Sequence, residues 1–319
     1  MIYLFNILIF LINFNNIQSD SYCPTAPSIP EDRRTNNNSL RIAQFNAEWL
    51  FVDGYDNCPG STCPWKDDQM AKSHVSAIAN IIAEINPDII NLAEVESCDE
   101  LHDLLNEPSL SGYGYAPYMV EGKDTSTGQD VGILTKIDPL ESLYRTETKV
   151  SYPISISTCN SNYTGAQGVS KHYITSVNVN NINIAIIGLH FLAFPDDPDR
   201  CVQREAQATV IQSIIAPYVS KGYEIIILGD MNDWDNQDID TNNNKPISKV
   251  LDLLKGNVGN VSWKLQNVAG KLTQSERYTC WYDSNYDCIY KLSETSMIDH
   301  ILVSDGLYSL ISSVSIEHS

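Results

Sequence analysis

The chain has 319 residues, of which 43% are hydrophobic, enough to bury a sizeable core, and no shift in composition divides it. Twenty basic against forty acidic side chains give a formal charge of −20, which excludes a protein that coats nucleic acid with a generally basic surface. Any phosphate it binds must be met by cations or by a few local Arg and Lys.

The N-terminus reads as a secretory signal, residues 1–19, with the apolar run Ile7 to Ile12 and a small residue, Ser19, at the cleavage point. It departs from the usual pattern in having no Lys or Arg before Arg33. It is too short to span a bilayer, and nothing later approaches about 18 uninterrupted apolar residues, so no stable membrane association is expected. The expected location is extracellular, or the lumen of the secretory and endolysosomal system. A mature start near Asp20 keeps eight cysteines, an even number that suits disulfides, with Cys58/Cys63 and Cys280/Cys288 the expected short-range pairs. Sequons at Asn37, Asn162 and Asn260 fit the same compartment.

Residues 20–38, rich in Pro, Asn and charge, read as an irregular segment with no core role. Leu40 to Phe51 alternates as a strand and places Asn46 and Glu48 at its end. Asp53 to Trp65 reads as a stapled loop. From Asp67, Val75, Ile78, Ile81, Ile82 and Ile85 recur at helical spacing, and Pro87 ends the helix. Asp88 to Val95 is a buried strand that delivers Glu94, a carboxylate that is costly there unless paired or bound to a metal. A short helix from Cys98 to Leu105 and a loop from Pro108 to Pro117 follow. DVGILT then sets Asp130 just before a strand.

Tyr144 to Gly188 alternates repeatedly and predicts antiparallel strands, with His172 a surface residue. INIAIIGLH ends on His190, where a buried strand runs out. A helix from about Asp199 to Tyr218 carries Arg200 and Arg204, expected on its solvated face. The apolar run Ile225 to Leu228 stops at Gly229. Asp230 and Asn232 lie beyond it on alternating positions and point the same way, with Met231 behind them. A carboxylate beside an amide suits a hard cation and a phosphate oxygen, and no glycine and glutamate spacing here makes an EF-hand. Ile247 to Leu254 predicts a short helix and Tyr278 to Tyr290 a hairpin. Met297 to Asp305 predicts a strand whose Asp299 and His300 face opposite ways.

The ordered set FNAEWL, LAEVES, GLHFLA, LGDMNDW and MIDHILVS resembles the endonuclease/exonuclease/phosphatase superfamily, including its deoxyribonuclease-I-like secreted nucleases. The resemblance implies an α/β fold, a four-layer α/β/β/α sandwich of two facing mixed sheets, over residues 39–319. It implies a divalent-metal-dependent hydrolase with Mg2+, or Mn2+ or Ca2+ in its place. Asn46 and Glu94 match the metal positions, and His190 the histidine that protonates the leaving oxygen or contacts the phosphate. Asp130 resembles the carboxylate that orients that histidine. Asp230 matches the residue positioning the attacking water, Asn232 one that holds the phosphate, and Asp299 the partner of a final catalytic histidine. Family members carry that histidine in a later Ser-Asp-His segment followed by a strand, which this sequence does not show before Ser319. His300 falls instead on an aromatic position, and His318 comes too soon. The expected substrate is a nucleic acid, DNA or RNA. The alternatives are a lipid or small-molecule phosphodiesterase or phosphatase of the same superfamily, and a catalytically impaired binding homologue.

Overall fold

A computed structural model describes residues 23–51, 64–282 and 289–318. The signal segment and Cys58, Cys63 and Cys288 lie outside these residues. In chain order the strands are β1 (Ile42–Leu50), β2 (Ile89–Val95), β3 (Ala116–Met119), β4 (Asp130–Thr135), β5 (Val150–Tyr152), β6 (Gly165–Gln167), β7 (Lys171–Val179), β8 (Ile182–His190), β9 (Glu224–Asp230), β10 (Leu265–Asn267), β11 (Cys280–Trp281), β12 (Thr295–Ser296) and β13 (Asp299–Ser304). The helices are α1 (Asp68–Ile85), α2 (Cys98–Asn106), α3 (Pro198–Ser220), α4 (Val250–Leu254) and α5 (Asp305–Leu310).

Two mixed sheets form, with strand orders β1-β2-β4-β3 and β10-β13-β9-β8-β7. Their inner faces meet in one apolar layer: Ile89, Tyr118, Val131 and Ile133 of the first pack on Tyr173, Val177, Ile184, Ile186, Ile226 and Leu228 of the second. A second core puts Val75, Ile78 and Ile82 of α1 and Leu101 and Leu104 of α2 on the outer side of the first sheet. A third puts Ile211 and Ile215 of α3 and Val250 and Leu254 of α4 on the outer side of the second. The four-layer α/β/β/α sandwich therefore follows from strands apolar on both faces and helices apolar on one. Gly188 allows the close approach of the sheets, since a Cβ there would stand 2.3 Å from Oδ1 of Asn91 and 2.2 Å from the Tyr173 ring.

Local sequence sets the helix ends. The Asp67 side chain accepts from the Met70 N–H to cap α1, and Asn86 takes the left-handed conformation at its far end, just before Pro87. Ser97 and Glu100 form a capping box on α2. Asp197 caps α3, where Pro198 occupies the first turn.

Several sequence expectations are corrected. Cys280 is a free thiol, and its expected partner Cys288 lies outside the described residues. The described disulfides are the long-range Cys23–Cys98 and Cys159–Cys201. Residues 23–38 are not peripheral: besides Cys23, Arg33 pairs with Asp138 at 2.6 Å and Arg34 is buried against Asp32. His172 is buried rather than exposed, because both faces of β7 are covered, and its Nε2 accepts from the Thr146 N–H. Arg204 is fully buried on the inner side of α3. The Cys23–Cys98 bridge closes a separation of 75 residues, so Cys23→Ser with Cys98→Ser should cost about 4 kcal/mol of unfolding free energy by the loop-closure argument, as read by urea denaturation.

Candidate active site

Four ionisable residues stand in register across the second sheet. Lys171 pairs with His190, His190 with Asp230, and Asp230 with Asp299, so the start of β7, the ends of β8 and β9 and the start of β13 present one row of side chains. Residues in register project to the same face of a sheet, and here that row lies at the edge of the gap between the sheets. Gly229 makes the end of β9 possible. It has φ 155°, and a Cβ would stand 1.9 Å from the Leu189 carbonyl oxygen.

The first sheet supplies the facing groups through irregular strand ends. The β1–β2 register shifts between Asn46 and Leu50, and the β2–β4 register between Ala93 and Val95. Glu48, Trp49 and Glu94 all have positive φ there, a left-handed conformation that is unfavourable for such residues and that bulges use to re-aim side chains. As a result, the Asn46 Nδ2 donates to Glu94 Oε1 at 3.1 Å and, across the gap, to Asp230 Oδ2 at 3.0 Å. The Trp49 N–H donates to Glu94 Oε2 at 3.1 Å. Gln44 also bridges the sheets, donating to Asp299 Oδ1 at 3.0 Å while accepting from Asn91.

Asn46, Glu94 and Asp230 are thus joined in one network, Asp299 stands beside Asp230 in register and is held by Gln44, and His190 Nε2 lies 3.8 Å from Asp230 Oδ2. Asn232 takes a left-handed turn that lets its N–H donate to Asp230 Oδ1 at 2.9 Å and its Nδ2 to the Phe191 carbonyl at 3.1 Å. His300 turns away from Asp299, facing Asn267 and the Asp233 carbonyl. His318 stacks on Tyr278 and bonds its carbonyl, with no bond to Asp299. Asp130 does not bond His190, whose Nδ1 has no partner among the described residues. Asp130 lies against the Gly122 backbone instead.

The site concentrates negative charge with little water to spread it. Burial and then the charge of Asp299 hold the Asp230 carboxyl well above its ordinary range. Desolvation pushes Asp299 up to about 6. Burial, with Lys171 adding to it, holds His190 well below its ordinary value, so its ring is neutral near pH 7. Lys171, which the sequence reading missed, joins the candidate site. It is buried, and its Nζ has only a 3.4 Å contact to Gln129 Oε1 and a 3.7 Å pairing with Asp124, within the fields of Glu94 and Asp230. The signal for it was the alternation of β7, which puts Lys171 in phase with the inward Tyr173.

These residues fit a hard divalent cation: the donors are oxygens, the carboxylates repel one another, and Lys171 is a single compensating charge. Glu94 and Asn46 would hold the ion, leaving other positions to water and phosphate oxygens, as Mg2+ prefers. Among the described residues the only three ligand atoms within 4.8 Å of one another belong to Cys159, Cys201 and Glu205, and those cysteines are disulfide-bonded.

Asp130 gives a test of the electrostatics away from the cation position. Burial pushes its carboxyl up to about 6 from 3.8. A raised folded-state value means that the folded protein binds the proton more tightly, so the destabilisation is absent below about pH 4 and grows as pH rises to about 6. Asp130→Asn should therefore raise unfolding free energy by roughly 1–3 kcal/mol at pH 7.5 and leave it nearly unchanged at pH 3.5, as measured by urea denaturation.

The fold is a two-sheet α/β sandwich with a cluster of acidic side chains at the strand ends. The sequence matches the profile of the Endonuclease/Exonuclease/phosphatase family over residues 43–319, and the chain belongs to that family. No curated protein matches the chain by sequence. Among solved structures it is similar to TDP2 from C. elegans, at 14% identity and a TM-score of 0.48, over 83% of this chain and 64% of that one. It is also similar to a Bacteroides thetaiotaomicron mannosyl-6-phosphatase, at 15% identity and a TM-score of 0.47, over 84% of this chain and 86% of that one. D. rerio TDP2 complexed with single strand DNA product matches at 13% identity and a TM-score of 0.46, over 88% of each chain.

Proposed function

We propose that this protein is a secreted hydrolase that cleaves phosphodiester bonds of nucleic acid with the help of a divalent cation, preferably Mg2+. The observation that carries the reading is the in-register row Lys171, His190, Asp230 and Asp299 facing Asn46 and Glu94 across one gap. A phosphodiester resists water because its charge repels nucleophiles and its leaving alkoxide is poor. A bound cation supplies charge neutralisation and stabilises that alkoxide. Asp230, fixed by Asn46 and by the Asn232 N–H, takes a proton from the attacking water, and its raised proton affinity makes it a stronger base. Asn232 and Lys171 hold phosphate oxygens. His190, neutral and with Nε2 in the site, donates a hydrogen bond toward the phosphate. Asp299, tied to Gln44, completes the row, and Asp130 acts only on the surroundings of β4.

Nicking of supercoiled plasmid with Mg2+, abolished by chelator, is the expected result; no nicking under either condition would overturn the reading. One observation favours a second reading, a lipid or small-molecule phosphodiester. The sequence shows no exposed apolar run, yet Trp281, Tyr282 and Tyr290 stand exposed beside Cys280, which feels the charges of Asp299 and Asp230. Faster turnover of a choline phosphodiester than of DNA in a parallel assay would transfer the conclusion to it.

A further inference from the structure

Four residues beyond His190, Phe194 is 62% exposed and has φ 67°. A bulky aromatic in the left-handed region is an outlier that its surroundings must enforce. The enforcing group is Arg204, whose guanidinium is fully buried and donates to the carbonyls of Leu192 (3.3 Å), Ala193 (3.3 Å), Phe194 (2.9 Å) and Pro195 (2.8 Å). Its Nε donates to Asp233 Oδ2 at 3.1 Å, which ties this loop to the one that follows Asp230. With these carbonyls turned inward, the Phe194 ring is held out in solvent. The Arg200 guanidinium lies 4.8 Å from the ring centroid.

The loop that carries the ring is also tied to the candidate site. The Phe191 N–H donates to the Asp230 carbonyl at 2.9 Å, and the Phe191 carbonyl accepts from Asn232. Three residues of chain reach at most about 11 Å, so the Phe194 backbone stands within that distance of Phe191. A rigid, exposed aromatic loses little entropy when a flat partner lands on it, and a guanidinium against the ring adds attraction for a base and for phosphate.

We propose that Phe194, backed by Arg200, is a stacking platform for the nucleobase next to the scissile phosphate. The preferred substrate is then an unstacked, single-stranded nucleic acid. This inference rests on the nucleic-acid reading above and adds the strand state and the residue that selects it.

The test compares kcat/KM, with Mg2+, for the p-nitrophenyl ester of thymidine 5′-monophosphate and for methyl p-nitrophenyl phosphate, which has no base. Phe194→Ala should lower the ratio of the two values about tenfold, the worth of one base stack, mainly through KM for the thymidine ester, and Phe194→Trp should keep or raise it. An unchanged ratio in Phe194→Ala, including an equal loss on both esters, would overturn the platform while the hydrolase reading stands. Wild-type protein that hydrolyses neither ester would overturn the hydrolase reading and the platform with it.

Discussion

Replacing Glu94 with Gln should lower cation-dependent phosphodiester turnover by about 10³-fold, with the fold intact. Glu94 is placed by a bulge at a backbone conformation, φ 63°, that an ordinary strand residue would not adopt, and both of its oxygens are fixed, by Asn46 and by the Trp49 N–H. Gln keeps the size and one accepting oxygen but not the charge that would hold the cation. Steady-state kinetics over a Mg2+ titration, with urea denaturation as the fold control, read the effect. Unchanged turnover at saturating Mg2+ would reject Glu94 as the cation ligand.

Asp230→Asn should lower kcat by about 10²–10⁴-fold and at the same time stabilise the protein. The amide keeps an accepting oxygen for the Asn232 N–H but turns an NH2 toward Asn46, so the variant gives up the proton acceptor and one hydrogen bond. The stability gain follows from the raised carboxyl of Asp230, which burial and Asp299 make costly to ionise. That cost is absent below its unfolded-state value, near 3.8, and grows as pH rises through the interval up to its folded value. In chelating buffer the variant should unfold at higher urea than the wild type at pH 8 and at the same urea at pH 3. Full activity in the variant would remove Asp230 from its catalytic role.

Much of the fold was legible because local pattern and tertiary packing agree. α1 shows its apolar face at helical spacing between Asp67 and Pro87, and β9 is an apolar run that ends on Gly229. Glu94 was legible for a thermodynamic reason, a carboxylate at the end of an otherwise apolar strand. What was not legible depends on distant partners. Alternation in SKHYITSV gives one face to solvent, but β7 faces the first sheet on one side and is covered by the segment around Tyr144 and Thr146 on the other, so Lys171 and His172 are both buried. Arg204 looks like a surface residue until Asp233 and the loop after His190 come beside it. Cysteines near in sequence drew attention away from Cys23–Cys98 and Cys159–Cys201, whose closeness is a product of the fold. Only the pairing of strands aligns the row from Lys171 to Asp299.

The most direct measurement is anomalous diffraction from a crystal grown with Mn2+ and inorganic phosphate. The account predicts one strong peak at about 2.0–2.3 Å from a Glu94 carboxylate oxygen, beside Asn46, with phosphate between the ion and the His190–Asp230 pair. A fully occupied Mn2+ elsewhere on the protein, with none at Glu94, would contradict it.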